Sequence, residues 1–289
     1  MTTLTKTMML TDEQRREWDE KGFFILRGVL SGATLERILA AAAEVEARKR
    51  AERGLGPNDT LEVRNAIVEH ETFFELLDYP DTFPLVLDLM GGDIQLSTSH
   101  LIVRPPVPGD TPKTFKAIGW HSDAPQVVAY DGRPAAMKVG YFLSDVSRPG
   151  SGALLVSPGS NKRTDIERGA DGEVPDSAIF EVNALPGDAV LFNHRTYHAV
   201  GPNYSGRHRK VLYFGYNRRW LRPIDYTTMP AEILARFDPP RRQLLGDAVT
   251  QCGYYLPRPQ DQPLKEWLDK QLKNGSSAVT ADDPYAMSQ

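Results

Sequence analysis

The stretch Pro186-Gly-Asp-Ala-Val-Leu-Phe-Asn-His-Arg-Thr-Tyr-His198 leads into the turn Gly201-Pro-Asn203 and then into the apolar run Val211-Leu-Tyr-Phe-Gly-Tyr216. Pro-Gly-Asp and Gly-Pro-Asn are turn signals, because proline pre-sets a turn φ and glycine permits the positive φ that turns use. A short apolar run held between such turns reads as a strand. The same texture extends outward in both directions. It predicts strands at Ile94–Val103, Met137–Leu143, Ala153–Val156, Ala178–Val182, Ala189–Phe192 and Lys210–Tyr216. Many short strands separated by Gly, Pro and Asp describe a β-sandwich or jelly-roll barrel.

Helices flank this core. Thr11-Asp-Glu-Gln14 has the form of a capping box, with Thr11 as N-cap and Gln14 reaching back, and Gly22 is a natural stop. Phe23–Leu26 reads as a buried strand. Ser31 can cap a second helix whose Leu35, Ile38, Leu39, Ala42 and Val45 form one apolar stripe, ending in Arg48-Lys-Arg50 where the helix dipole favours positive charge. Phe73–Leu77 and Phe83–Met90 suggest two short helices, and Arg218–Gly246 has further helical character. The expected organisation is a single catalytic domain over 1–273, mostly β with flanking helices: a helical part at 10–92, a core at about 94–217 and a C-terminal helical part at 218–273. The Ser/Ala/Asp-rich 274–289 is expected to be disordered. Arg104–Lys116, rich in Pro and Gly, and the segment Asn58–Asn65 are candidates for a mobile lid.

Composition narrows the chemistry. One Cys among 289 residues excludes an intramolecular disulfide framework and multi-thiolate zinc or iron–sulfur sites, so a transition metal must be held by His, Asp or Glu. A net charge of −4 argues against a nucleic-acid binder. No run of about 18 apolar residues is present, and Met1–Leu10 is too polar for a signal peptide. The expectation is a cytoplasmic protein with a small-molecule partner, contacting neither membrane nor nucleic acid, as a monomer or homodimer.

Three signals carry chemistry. In Trp120-His121-Ser122-Asp123, residues two apart on an extended segment point to one side, so an imidazole and a carboxylate converge. His198 follows a strand and supplies a third ligand. Two His and one carboxylate on one face, with open positions opposite, form the facial triad of non-haem Fe(II) oxygenases. Strand parity leaves His194 as a rival to His198. The third signal is Arg209 at the head of an apolar strand, with Arg207 as its rival. An arginine there is destabilising unless a carboxylate meets its planar fork, and a ligand that chelates iron at one end and offers a carboxylate at the other satisfies both needs. 2-Oxoglutarate has that shape.

Read together, His198-x-x-x-x-Asn203-x-Ser205-x-x-x-Arg209 and Trp120-His121-x-Asp123 resemble the distal and proximal motifs of the phytanoyl-CoA dioxygenase-like superfamily. Phe142-Leu-Ser-Asp-Val146, Gly150-Ser-Gly-Ala-Leu154 and Ser157-Pro-Gly-Ser160 are similar to its central strands, with Asn161 where a His often follows. Leu10–Val29 resembles its N-terminal helix and first strand. The resemblance implies a double-stranded β-helix (cupin-type jelly roll), with Fe(II), 2-oxoglutarate and O₂. It implies His121, Asp123 and His198 as metal ligands and catalytic centre, and Arg209 on the distal 2-oxoglutarate carboxylate; its spacing selects His198 over His194 and Arg209 over Arg207. Family members often carry Ser or Thr two residues after the distal His, where this chain has Val200. Thr98, Ser99 and Gln95 are candidates to replace that hydroxyl.

The implied reaction is oxidation, most simply hydroxylation, of a metabolite or natural-product intermediate, with release of succinate and CO₂. Related halogenases lack the metal carboxylate, and Asp123 is present. Gln126, Met137, Tyr141, Arg195 and Trp220 are candidates to line a substrate pocket, with Arg64 or Arg104 reading an anionic group. Alternatives are a non-oxidative cupin-type metalloenzyme, which has no need of Arg209, and an acyl-CoA hydroxylase of the same superfamily, though no separate CoA motif is seen. His70 reads as surface or capping, His100 as core or pocket-lining and His208 as solvated.

Overall fold

The structure, a computed structural model of the chain, describes residues 9–109, 117–123, 133–170 and 172–275. Thr11 and Gln14 exchange the reciprocal hydrogen bonds of a capping box at the start of α1 (Asp12–Lys21), and Gly22 closes it in the left-handed region at φ 84°. β1 (Phe23–Leu26) leads to α2 (Gly32–Arg53). Ser31 stands at the N-cap of α2 as expected, but its side chain makes no capping hydrogen bond. β2 (Leu61–Arg64) comes next. Glu71–Leu76 is then a 3-10 turn, and α3 (Phe83–Met90) precedes the main run of strands. Those strands are β3 (Ile94–Arg104), β4 (Ile118–His121), β5 (Ala136–Phe142), β6 (Leu154–Val156), β7 (Phe180–Val182), β8 (Ala189–Asn193), β9 (His198–Val200) and β10 (Arg209–Arg218). The short helices α4 (Ala231–Leu234) and α5 (Pro239–Leu244) and the longer α6 (Pro263–Gly275) complete the described chain.

The strands form a six-stranded sheet in the order β1-β8-β5-β10-β3-β2 and a four-stranded sheet in the order β4-β9-β6-β7. All their pairings are antiparallel. Two such sheets face to face are the double-stranded β-helix.

The central strands of the large sheet are buried on both faces. Inward, Phe23, Phe142, Val190, Phe192, Val211 and Tyr213 pack against Leu154, Val156 and Val182 of the smaller sheet. Outward, Phe24, Val139, Tyr141, Leu191, Leu212 and Phe214 pack with residues of the helices, among them Ile38, Val45 and Phe83. Each such side chain contributes about 1.5–3 kcal/mol by leaving water. Double burial is why these runs are continuously apolar, without the alternation of a half-exposed strand. Gly140 is required on the inner face: a Cβ there would lie 2.6 Å from the Tyr213 ring.

Several expectations need correction. The expected strand Phe23–Leu26 forms, as β1 beside β8, but the helical part at 10–92 also contributes a second strand to the large sheet that was not expected, β2 beside β3. Asn58–Asn65 is not a free lid, because its residues Leu61–Arg64 are paired along β3 from Val103 to His100. The strand expected at Ala178–Val182 starts later, since Asp176–Ala178 is a 3-10 turn. The expected tail lies outside the described residues from 276 onward, as does 110–116 of the lid candidate Arg104–Lys116. Among the described residues, no helix is long and apolar enough to cross a membrane.

Candidate metal centre

β4 and β9 run side by side, with His121 and His198 as direct cross-strand partners. Their ring centroids are 4.4 Å apart. Asp123 follows just past the end of β4. Its backbone N–H donates to the His194 carbonyl at 2.8 Å, which fixes the chain as it leaves the strand. Asp123 Oδ1 lies 3.9 Å from His121 Nε2 and 4.0 Å from His198 Nε2. One ligand atom from each of the three residues falls within 4.8 Å of the other two.

The imidazole tautomers follow from their partners. His121 Nδ1 lies 2.7 Å from the Gly119 carbonyl and His198 Nδ1 lies 2.9 Å from the Thr196 carbonyl. A carbonyl only accepts, so each Nδ1 carries a hydrogen, and each Nε2 is the ring nitrogen turned toward Asp123. His198 is buried, and Phe192 packs edge-on against its ring at 4.9 Å. Burial pushes the His198 pKa down to about 4, outweighing the opposite pull of Asp123, so the ring is neutral and ligand-competent near pH 7. Asp123 feels opposing effects: burial raises its pKa, while Lys138 and His198 lower it, and the net shift is downward.

Lys138, on β5, donates from Nζ to Asp123 Oδ1 at 2.6 Å, while Asp123 Oδ2 is buried with no hydrogen-bond partner. Oδ1 is also the oxygen nearest both imidazoles, so Lys138 Nζ stands beside the metal position and holds the carboxylate there, as an outer-shell partner would. Lys138 was missed in the sequence, although a lone cation in the strand Ala136–Phe142 is the same kind of signal as Arg209.

Arg209, at the head of β10, is 1% exposed. Its Nε donates to the Gly152 carbonyl at 3.0 Å and its Nη2 to the Tyr213 hydroxyl at 3.2 Å. Nη1 is buried with no partner, and no ion pair among the described residues involves Arg209. Gly152, at φ 81°, allows this approach, since a Cβ there would meet Arg209 Cγ at 3.2 Å. Arg207 is exposed. Asn203 and Ser205 act by building the turn before β10. Asn203 Oδ1 accepts from the Ser205 N–H and hydroxyl at 3.1 and 2.7 Å, and its Nδ2 donates to the Arg207 carbonyl at 2.6 Å.

Other expected site residues are placed differently. His194 Nδ1 faces the Ala136 backbone, 2.6 Å from its carbonyl, and His194 is not part of the three-residue cluster. Thr98 donates its hydroxyl to Asp225 at 2.7 Å and Gln95 donates to the Leu221 carbonyl at 2.7 Å. Both therefore tie the segment after β10 to β3. Arg104 is the register partner of Arg209, and Thr98 lies six residues back along β3, roughly 20 Å at about 3.3 Å per residue. Neither Thr98 nor Gln95 is placed to share a carboxylate with Arg209. The Ser99 hydroxyl accepts from the Ile67 N–H at 3.0 Å on the helix side.

Met137 and Tyr141 also belong to the helix-side core, where the Tyr141 hydroxyl meets that of Thr82 at 2.7 Å. They are structural residues and do not line the space beside the triad. Arg195 is half-buried and donates to the Arg163 carbonyl at 3.3 Å; Trp220 is 48% exposed in the turn after β10. Gln126 lies outside the described residues. His70 accepts from Thr72 as a cap, and His208 is half-buried against Glu46 at 3.3 Å, not solvated.

A model of the phytanoyl-CoA dioxygenase (PhyH) family matches residues 18–211, more than half of the chain. The chain belongs to that family. As a phytanoyl-CoA dioxygenase family member it is an iron- and 2-oxoglutarate-dependent enzyme. The donor set fits the group: two imidazoles and a carboxylate converging within 4.8 Å, and a buried guanidinium N–H without a partner. An uncharacterised protein of Mycobacterium tuberculosis is 27% identical over 252 residues, 82% of this chain and 88% of its own length. The 2-aminoethylphosphonate dioxygenase of an uncultured bacterium is 25% identical over 224 residues, 72% of this chain and 82% of its own. Among solved structures, HygX from Streptomyces hygroscopicus with nickel and 2-oxoglutarate bound has a similar fold, at TM-score 0.60 and 20% identity, over 74% of this chain and 90% of that one.

Proposed function

We propose that the chain oxidises a small polar metabolite or natural-product intermediate, with His121, Asp123 and His198 holding Fe(II) and Arg209 holding the distal carboxylate of 2-oxoglutarate. The observation that carries this reading is Arg209, buried on the inner face with no carboxylate partner among the described residues. A non-oxidative metal site on the same triad has no use for it, whereas a dicarboxylate cosubstrate completes it.

The overall reaction is R–H + 2-oxoglutarate + O₂ → R–OH + succinate + CO₂. Bound iron supplies the activation of O₂ and the oxidising power for the C–H bond. The protein's own residues do the rest. The Gly119 and Thr196 carbonyls fix the two imidazoles. Lys138 holds the carboxylate, and Phe192 and Tyr213 shield the inner face from water. The family relative named for 2-aminoethylphosphonate supports a small polar substrate. Arg195 and Trp220 remain the pocket candidates.

The test is a substrate screen read by succinate release, with Fe(II), 2-oxoglutarate and O₂. Release that is stimulated by one small metabolite and abolished in His121→Ala and Asp123→Ala supports the reading. Activity intact in either variant sinks it.

A further inference from the structure

Arg104 and Arg209 are direct partners in the β3–β10 ladder. Cβ atoms so paired are about 4.5–5.5 Å apart and on one face, so two guanidinium-bearing side chains leave the sheet together. Neither enters an ion pair among the described residues. Arg104 Nε, like Arg209 Nη1, is buried without a hydrogen-bond partner. Two adjacent cations, both partly withdrawn from water and each with an unmet donor, destabilise one another and the fold. Burial first, and then the charge of Arg209, pull the Arg104 guanidinium below its ordinary pKa. Glu62, on β2 opposite Ile102 of β3, relieves this only in part: its charge pulls the Arg104 pKa back up, but its side chain is 46% exposed, 3.6 Å from His100, and the net shift stays downward. From β9, the Val200 side chain offers no hydrogen bond, and Thr98, Gln95 and Ser99 are engaged elsewhere.

We propose that Arg104 and Arg209 act as a paired-guanidinium clamp on a single carboxylate, the distal one of the 2-oxo acid cosubstrate. Arg104 thereby determines specificity for a dicarboxylate over a monocarboxylate. This rests on the oxygenase reading of the same site. Arg209 is anchored by Gly152 and Tyr213 and offers Nη1, and Arg104 offers the second donor that Val200 cannot. The clamp needs no hydroxyl from β9, which accounts for an aliphatic residue there.

The test uses full-length protein loaded with Ni(II) in place of iron, so that binding is read without turnover. Dissociation constants for 2-oxoglutarate and for pyruvate, which lacks the distal carboxylate, are measured by calorimetry in wild type, Arg104→Met and Arg104→Lys. Loss of one charge-assisted donor predicts that Arg104→Met weakens 2-oxoglutarate binding by roughly 10- to 100-fold. Pyruvate binding should move by less than about twofold on the same argument, and Arg104→Lys should lie between. The melting temperature of the metal-free Arg104→Met protein should be no lower than that of wild type, because a like-charge contact has been removed. Unchanged 2-oxoglutarate affinity in Arg104→Met overturns the clamp, as does an equal loss for both ligands. Wild-type protein that binds no 2-oxoglutarate overturns the clamp and the oxygenase reading together, so the two failures are distinguishable.

Discussion

His121 and His198 face each other on one rung of the β4–β9 ladder, yet their surroundings are opposite: the His121 side chain is 58% exposed and that of His198 only 8%. One face of the metal position is therefore built on the core and the other on a rim. His121→Ala and His198→Ala should both abolish retention of one iron per chain through gel filtration, measured by elemental analysis. Their effects on the metal-free fold should differ. His198→Ala removes a ring packed on Phe192 and should lower unfolding free energy by about 1–3 kcal/mol, whereas His121→Ala should stay within about 0.5 kcal/mol. Chemical denaturation of the two apo variants checks this.

Lys138→Met keeps the aliphatic stem and removes the charge that neutralises Asp123. The pair is mostly buried, with side chains 19% and 15% exposed. Removing one partner leaves an uncompensated carboxylate, so the apo protein should lose about 2–4 kcal/mol. A divalent metal takes over the neutralising role. The rise in melting temperature on adding metal should then be larger in Lys138→Met than in wild type, and an equal rise would remove Lys138 from the site.

His100 supplies a pH dependence. Burial first, then the charges of Arg64, Lys138, Arg104 and Arg209, push its pKa down to about 3, and the half-exposed Glu62 does not offset them. The folded state therefore holds its proton less tightly than the unfolded chain does. Stability is full above the unfolded value of about 6.5 and is lost as pH falls from there toward about 3, by an amount on the order of a few kcal/mol. His100→Gln should flatten this part of the curve of apo stability against pH. A curve of the same slope in the variant would show that other groups carry the dependence.

Tyr141→Phe tests the placement of that residue on the helix side of the sheet. Only the hydroxyl contact with Thr82 is lost, in a site fully removed from solvent. Stability should fall by about 1 kcal/mol, with succinate release and 2-oxoglutarate affinity unchanged. A selective effect on either would return Tyr141 to the active site.

Particular residues show what the sequence made legible. Thr11, Gln14 and Gly22 act locally, and their cap forms as read. β3, β5, β8 and β10 are apolar runs between turns, and they stand within two residues of their expected bounds. Parity was not legible in those strands. When both faces are buried, nothing in Ala136–Phe142 says whether residues 137 and 141 or residues 138 and 140 point inward, and the reading of Met137 and Tyr141 fell on the wrong face. β4 and β9 are short and carry the candidate ligands in place of an apolar pattern. Motif spacing, not periodicity, therefore separated His198 from His194. Thr98 and Gln95 misled because their partners, Asp225 and Leu221, lie more than a hundred residues away along the chain.

β1 has one further consequence, for the order in which the molecule is assembled. Phe23–Leu26 pairs with β8, and Gly28 donates to Asp188, a contact that closes a loop of 160 residues. During synthesis the edge of the large sheet has no partner until most of the barrel has left the ribosome. Contacts of such long range slow folding, because the loop entropy is lost before the pairing is gained. His121, Asp123 and His198 are contributed by chain segments on either side of β5 and β8, so the metal position comes together late. Iron supplied during synthesis would meet an incomplete site, and loading would follow closure of the barrel.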